Sequence, residues 1–234
     1  MALVARSLAH PSGRGRRILK TVGALLAVVL AAGPVAAAVD VDLQRYALAE
    51  RAGAIVPVGG RAYAERRTPD GPEIPLTGAT VVAMPWSETL TRRLQQLREG
   101  ARASAAAYRE TAALMQRARE AYETELQAAG EPDLVRTAVV DPRGRFDLGR
   151  LPAGRWLIIA TSESFHETSG PRAERKDREM YSPRPRLVGF HTRAVWLRDV
   201  AVVAEPVELE LTDRNIWFTG VVEQRVVDPV PGRR

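Results

Sequence analysis

The sequence predicts a mainly β protein, an antiparallel β-sandwich that carries a long inserted α-helix or helical hairpin. Two observations predict this fold class. Short apolar segments rich in β-branched residues alternate with turns built from proline and glycine, which is typical of a sandwich. By contrast, residues 87–129 contain one glycine and no proline, although the chain has 16 prolines, and their apolar residues recur at helical spacing. The helical segment therefore interrupts the sandwich.

Seven or eight strands are expected, each bounded by turn residues. In the turns, proline sets φ and glycine supplies the position with positive φ. Residues 207–211 alternate strictly between apolar and acidic side chains, so one face of that strand should be buried and the other solvated. The segments with strand composition are 54–66, 78–84, 136–140, 145–148, 155–161, 187–198, 200–204, 207–211 and 216–222.

The helical insertion is predicted over residues 87–130. Ser87 is suited to the N-cap and Gly130 to the position just after the helix, with Pro132 beyond it. A single rod of this length would measure about 64 Å at 1.5 Å per residue, which is longer than the predicted sandwich. Either the helix projects from the sandwich, or it breaks near Gly100 into a hairpin. Every seventh residue from Leu94 onward repeats an apolar or small side chain, as in a coiled coil.

The first 38 residues are typical of a secretory signal peptide. They contain five basic and no acidic residues, an apolar run over residues 21–32, and three alanines at 36–38 that suit a signal peptidase. The apolar run is shorter than the roughly 20 residues that span a bilayer, so no stable membrane span is expected after cleavage. The alternative is an uncleaved anchor over residues 21–39. The mature protein is expected to be extracytoplasmic, either periplasmic or secreted.

Composition excludes several classes of function. The formal net charge is +6, but five of the 34 basic residues and none of the 28 acidic ones lie in the signal, which leaves a net charge of +1. Nucleic-acid binding is therefore not expected, because phosphate contacts need a basic face. The absence of cysteine excludes disulfides, thiolate metal sites and a cysteine nucleophile.

Residues 54–226 are predicted to form the sandwich domain, which is flanked by two short segments and interrupted by a charged loop. Residues 39–53 are expected to be an N-terminal linker. Residues 163–186 hold many charges and few apolar side chains, and are expected to form a long solvated loop. Residues 227–234 form a C-terminal tail.

Three short motifs, in order, resemble the carboxypeptidase regulatory-like domain, a transthyretin-like β-sandwich grouped with the carbohydrate-binding-like folds. They are Pro-Leu-Thr-Gly-Ala-Thr-Val at 75–81, Asp-Pro-Arg-Gly-Arg-Phe at 141–146 and Leu-Pro-Ala-Gly-Arg-Trp at 151–156. The resemblance covers about residues 54–84 and 134–223, and the insertion and the charged loop depart from it. It implies a regulatory rather than a catalytic domain.

No catalytic, cofactor or metal site is predicted. Only His166 and His191 follow the signal, and neither has a second histidine at metal-ligand spacing. The chain also has no Gly-x-Ser-x-Gly elbow and no phosphate-binding loop. A non-catalytic role is therefore expected.

Two kinds of binding remain. The first is a protein-interaction or scaffold role in the cell envelope, with self-association or a protein partner bound through Leu94, Tyr108, Met115 and Tyr122 of the helical stripe. Packing of the stripe within the same chain is the alternative. The second is glycan binding through exposed aromatic side chains, with Trp196 and Tyr181 as candidates.

Overall fold

The computed structural model describes residues 39–65, 71–167 and 186–226. The predicted signal peptide, most of the predicted charged loop and the predicted tail lie outside these ranges. None of the described helices is long and apolar enough to cross a membrane.

The described chain contains three α-helices and nine strands. The helices are α1 (Leu43–Arg51), α2 (Glu88–Gly100) and α3 (Ala105–Ala128), with short 3₁₀ turns at Pro132–Leu134 and Asp213–Asn215. The strands are β1 (Ile55–Ala64), β2 (Ile74–Pro75), β3 (Thr80–Pro85), β4 (Arg136–Val139), β5 (Arg145–Pro152), β6 (Gly154–Glu167), β7 (Arg186–Val202), β8 (Val207–Thr212) and β9 (Phe218–Val226).

The strands form two sheets, which confirms the predicted fold class. The large sheet has the order β4-β3-β6-β7-β9 and is antiparallel throughout. In the small sheet, β1 pairs with β5, β2 and β8. The β1–β8 pair is parallel, unlike the all-antiparallel expectation. A tight turn would force two strands to pair antiparallel, but β1 and β8 are far apart in the chain and can pair in parallel.

The sandwich core lies between the two sheets and is sealed by two tryptophans. Trp156 of β6 and Trp196 of β7 are 0% and 2% exposed. Each indole N–H is satisfied, because Nε1 of Trp156 donates to the Pro152 carbonyl at 3.0 Å and Nε1 of Trp196 donates to the Thr212 carbonyl at 2.8 Å. Burial of such large side chains is stable only when their polar atoms are paired in this way.

The opposite face of the large sheet is covered by α2 and α3, which makes the fold three-layered. Along β6, Trp156 and Ile158 belong to the sandwich core, whereas Leu157 and Ile159 belong to the core under the helices. A strand buried on both faces has no polar side to alternate with. This explains the unbroken apolar run at the start of β6.

The helical insertion is a hairpin, so the single rod is excluded. Ser87 caps α2 by accepting the Leu90 N–H at 3.0 Å, as predicted. The break comes after Gly100, where Ser104 caps α3 by accepting the Ala107 N–H at 3.0 Å. Gly130 has a φ of +83° just beyond α3, which is the conformation expected of a helix-ending glycine.

The predicted linker over residues 39–53 is wrong, because it contains α1. Asp42 caps this helix, and Tyr46 is 4% exposed against the sandwich core. The Tyr46 ring meets Trp156 edge-on at 5.3 Å, and its hydroxyl donates to the Arg155 carbonyl. Tyr46 is the one fully buried side chain of α1, and Leu43 packs half-buried against the core. Two apolar contacts are too few to show a helical period.

The predicted boundaries of the charged loop and of its neighbouring strands are also wrong. Residues 163–167 belong to β6, and the single strand β7 joins the segment predicted at 187–198 to the first three residues of the one predicted at 200–204. Charged side chains are tolerated there because they pair across the strands, as Glu163 does with Arg193.

Candidate ligand-binding cleft

A cleft with a volume of about 220 Å³ opens between α3 and the helix-covered face of the large sheet. We call it the hairpin cleft. It lies where the apolar contact between the two layers ends. The described residues that line it come from β3, α2, α3, β6 and β7, together with Trp217 just before β9.

One wall of the hairpin cleft is apolar. Its side chains belong to the core beneath the helices, and most of them are buried. Met115 and Leu94 contribute to this wall from the helices, and the strands contribute the remaining apolar side chains. The apolar wall consists of Val82, Leu94, Ala112, Met115, Ile159, Val195, Leu197 and Trp217.

The other side of the hairpin cleft is polar, and the strand period explains why. Side chains two residues apart share a face, so Thr161 and Glu163 continue the face of Ile159 along β6. In the same way Arg193 continues the face of Val195 along β7. The polar residues that line the cleft are Thr80, Gln116, Arg119, Thr161, Glu163 and Arg193.

Arg193 links the sheet to the helix at the polar side. Its Nη1 donates to Oε1 of Gln116 on α3 at 2.7 Å, and its Nη2 donates to Oε2 of Glu163 on β6 at 3.0 Å. The side chain is 17% exposed. Its Nε is buried and has no hydrogen-bond partner among the described residues. A buried donor without an acceptor is uncommon in folded proteins.

His191 extends this polar row toward β9. Its Nδ1 lies 2.9 Å from Oε1 of Glu163, and its Nε2 lies 3.2 Å from Oε1 of Gln224. Phe165 packs on the ring with a centroid distance of 4.9 Å. Both ring nitrogens therefore face an oxygen that can accept a hydrogen bond.

Arg119 lies on α3, one helical turn beyond Gln116. Its Nη1 pairs with Glu123, and its Nη2 is 3.8 Å from Oε1 of Glu120, which is too far for a hydrogen bond. Nε2 of Gln116 donates to the same Glu120 oxygen at 2.8 Å. The arginine is 22% exposed, so part of its guanidinium is shielded from solvent.

The helical residues predicted to meet a partner are packed inside the chain, which corrects that prediction and supports its alternative. Leu94 and Met115 lie in the apolar wall, and Tyr122 is buried with its hydroxyl donating to the Pro85 carbonyl at 3.1 Å. Tyr108 is half-buried, with its ring 6.0 Å from that of Phe218. A stripe of this kind meets the sheet of its own chain because the hairpin folds back onto it.

Burial also raises the pKa of Tyr122, because the phenolate would lose its solvation beneath the helices. The hydroxyl therefore stays protonated and able to donate.

The predicted glycan residue Trp196 is corrected as well. Its ring is sealed in the sandwich core, so no sugar can stack on it. Tyr181 lies outside the described residues. Trp217, which packs half-buried against the core beneath the helices, lines the hairpin cleft and has the Arg98 guanidinium 5.0 Å from its ring centre.

Sequence reasoning missed the polar side of the cleft. Glu163 was assigned to a loop, and Arg193 to an apolar strand without a role. Gln116 adjoins Met115 on the helix, but a polar residue beside an apolar stripe is ordinary on any surface helix. Only the pairing of Glu163 with Arg193 in neighbouring strands brings these groups together.

No group of three or more His, Asp or Glu side chains within the described ranges is placed to hold a metal ion.

Comparison with known proteins gives little further information. No protein-family model matches this chain, and no curated protein matches it. Among solved structures, the chain is similar to a putative carbohydrate binding protein from Pseudomonas aeruginosa, with 14% identity and a TM-score of 0.37. The match covers 68% of this chain and 88% of that one. A similarity of this size carries no inference about ligand or activity.

Proposed function

We propose that this chain is an exported, non-catalytic β-sandwich protein of the cell envelope, and that it binds a small ligand in the hairpin cleft. One observation carries the proposal: an apolar wall and a row of polar side chains face the same small cavity. Ligand sites are typically apolar concavities with a few placed polar groups. The volume of about 220 Å³ lies below the usual range for drug-sized ligands, which favours a small molecule.

A non-catalytic role is supported by the engagement of His191. A general base needs a free ring nitrogen within hydrogen-bond reach of its substrate. Here Nδ1 faces Glu163 and Nε2 faces Gln224, so substrate would have to displace one of these partners.

Export is supported by the signal-like features of residues 1–38. The test is fractionation of expressing cells followed by N-terminal sequencing of the recovered protein. A periplasmic or secreted chain beginning at Val39 is expected. A chain that retains residue 1 in the membrane fraction would favour the uncleaved anchor.

Membership of the carboxypeptidase regulatory-like domains is part of this proposal. Its support is that the motif residues do what such motifs need. Oδ1 of Asp141 accepts the N–H groups of Arg143 and Arg145, both at 2.8 Å, and Gly144 has a φ of +76° in the same turn. Phe146 then enters the sandwich core.

The ligand-binding proposal is tested by closing the cleft. Thr80→Trp places an indole at its mouth, whereas Glu208→Trp places one at an exposed position of β8 in the small sheet, outside the cleft lining. A library of small metabolites is screened against the full chain and both variants by ligand-observed NMR. Hits that Thr80→Trp abolishes and Glu208→Trp retains are expected. Hits that survive both substitutions would contradict the assignment of the site.

Carbohydrate binding is a second candidate for the same cleft. The observation that favours it is the presence of Trp217 beside planar polar side chains, since sugars stack on aromatic rings and bind carboxylate and amide groups. Glycan-array binding that is lost in Trp217→Ala would support it.

A scaffold or protein-interaction role is favoured by a separate surface at one end of the sandwich. Val203 is 70% exposed and lies with Ala49 and Ala201 along an open groove of about 540 Å³. Crosslinking in cells, compared between the natural chain and Val203→Glu, tests it. Adducts that disappear in the variant are expected if this surface holds a partner.

A further inference from the structure

We propose that the hairpin cleft selects a small molecule that carries a carboxylate on an apolar body. This inference rests on the proposed binding function and names the class of ligand. It follows from which acceptors in the cleft are hydrogen-bonded within the chain and which donors are not.

The acceptors at the polar side of the cleft already have donors within the chain. Glu163 uses Oε2 for Arg193 and Oε1 for His191. Oε1 of Gln116 accepts from Arg193. The carboxylate of Glu163 is thus matched by the guanidinium of Arg193, whereas Arg119 adds a second guanidinium to the lining and its partner Glu123 lies outside the lining.

The groups left over are donors. Each Nη of Arg193 carries two hydrogens and makes one hydrogen bond within the described residues, so each keeps a further N–H. Arg119 has one hydrogen-bonded nitrogen, Nη1, and within the same ranges its Nε and Nη2 have none. The cavity is therefore lined by two guanidinium groups with spare N–H groups. Such a site favours a ligand with strong hydrogen-bond acceptors.

A carboxylate is the acceptor that suits these groups best. Its two oxygens match the planar fork of a guanidinium, and hydrogen bonds between charged partners are roughly twice as strong as neutral ones. Because both arginines are largely screened from solvent, the interaction is weakened less than it would be on an open surface.

The apolar wall determines the rest of the molecule. Met115, Ile159 and Val195 offer carbon surface that an inorganic anion would leave unused. A body that covers this wall gains about 25 cal/mol for each Å² of apolar surface removed from water. The ligand is therefore an organic acid rather than a free ion.

Matched pairs of acids and amides test the inference. Phenylacetate and hexanoate are titrated into the purified full chain, beside phenylacetamide and hexanamide, which keep the shape and lose the charge. Inorganic phosphate is a further probe. Binding is followed by calorimetry at neutral pH. We expect at least one acid to bind about tenfold more tightly than its amide.

Three variants locate the effect. Arg193→Lys keeps the charge but removes Nε and the fork, and Arg119→Gln removes the second guanidinium. In each, the ratio of acid to amide affinity is expected to fall toward one. Arg198→Lys is the matched control, because Arg198 is half-buried on the same strand but hydrogen-bonds the Asn215 carbonyl and does not line the cleft. It should leave the ratio unchanged.

The possible outcomes separate this inference from the proposed function. If the amides bind as tightly as the acids, and Thr80→Trp abolishes both, the cleft binds ligands but the carboxylate inference is overturned. If phosphate binds as tightly as the acids, the inference that the ligand has an apolar body is overturned. If no probe binds, and the metabolite screen yields no hit that Thr80→Trp removes, both proposals fail.

Discussion

The two faces of the large sheet are both covered, but by different kinds of partner. One face meets the small sheet, and there two tryptophans fill the layer and bond their indole N–H groups to backbone carbonyls. The other face meets the helical hairpin, which covers the apolar part of β6 and β7, and at Arg193 the contact between α3 and the sheet becomes polar. The sandwich face is closed, whereas the helical face ends in an open cleft.

The helical insertion adds a site to the sandwich because it covers one sheet face incompletely. Two packed sheets of matching length exclude solvent along their common core. A pair of helices on a sheet covers only the strip beneath it, and beyond that strip the side chains of the same face turn polar. The row from Gln116 through Arg193 and Glu163 to His191 lies at this border. We therefore expect the sandwich face to carry stability and the border to carry binding.

The largest expected effect is the loss of a tryptophan from the closed face. Trp156→Ala should lower the free energy of unfolding by about 3–5 kcal/mol, because it removes a fully buried ring and leaves a cavity. Urea denaturation measures it. Trp86→Ala is the control, because Trp86 is half-buried with the Arg155 guanidinium 3.7 Å from its ring centre, and its loss should cost about 1 kcal/mol. Equal decreases in the free energy of unfolding for Trp156→Ala and Trp86→Ala would contradict the view that the closed face carries the stability.

Next come two leucines of the helical face. Leu126→Ala should cost about 2–5 kcal/mol, because the side chain is fully buried and its cavity cannot be filled. Leu94→Ala enlarges the hairpin cleft, which solvent can enter, so its cost should lie at or below the lower end of that range. Chemical denaturation measures the free energy of unfolding of both variants. A greater decrease for Leu94→Ala than for Leu126→Ala would show that the cleft is closed in solution.

A smaller effect is expected where α3 approaches β9. A Cβ at Gly220 would lie 2.7 Å from the Cβ of Ala112, so Gly220→Ala must separate the helix from the strand and should cost about 1–3 kcal/mol. Gly100→Ala is the matched control. Its Cβ would meet nothing within 4 Å, and alanine favours the helix by up to about 1 kcal/mol. A stabilising Gly220→Ala would mean that α3 does not rest on β9.

The smallest effect concerns the Tyr122 hydroxyl. Tyr122→Phe should cost about 1 kcal/mol at pH 7, because the Pro85 carbonyl loses its donor beneath the helices. Burial raises the pKa of Tyr122 above its ordinary value of 10.0, so its stabilising effect is complete below pH 10 and is lost as the pH rises above that value. Thermal melts of both proteins from pH 7 to 11 should show the difference narrowing in alkali. A constant difference would contradict the burial of the hydroxyl.

The closed face was largely predictable from the sequence, because its signals are local. The turn at Asp141–Gly144 and the alternation of residues 207–211 are read within a few residues. The caps at Ser87 and Gly130 are equally local, since each satisfies backbone groups of its own helix.

The open face was not predictable, because its residues meet only through distant pairing. Glu163 and Arg193 are brought together by the β6–β7 register, and a run of charges gave no reason to expect a strand there. Helix α1 was missed because only Tyr46 and Leu43 pack it on the sandwich, which is too few residues to show a helical period. The stripe on α2 and α3 was detected, but its period does not say whether the surface that covers it belongs to the same chain.

An amide NMR titration of the full chain with phenylacetate tests most directly whether the hairpin cleft binds an organic acid. We predict shift changes at residues 112–119, 159–163 and 193–197, which surround the hairpin cleft, and no changes in the small sheet at residues 59–61 and 208–210. Changes confined to the small sheet, or none near Arg193 at saturating ligand, would contradict it.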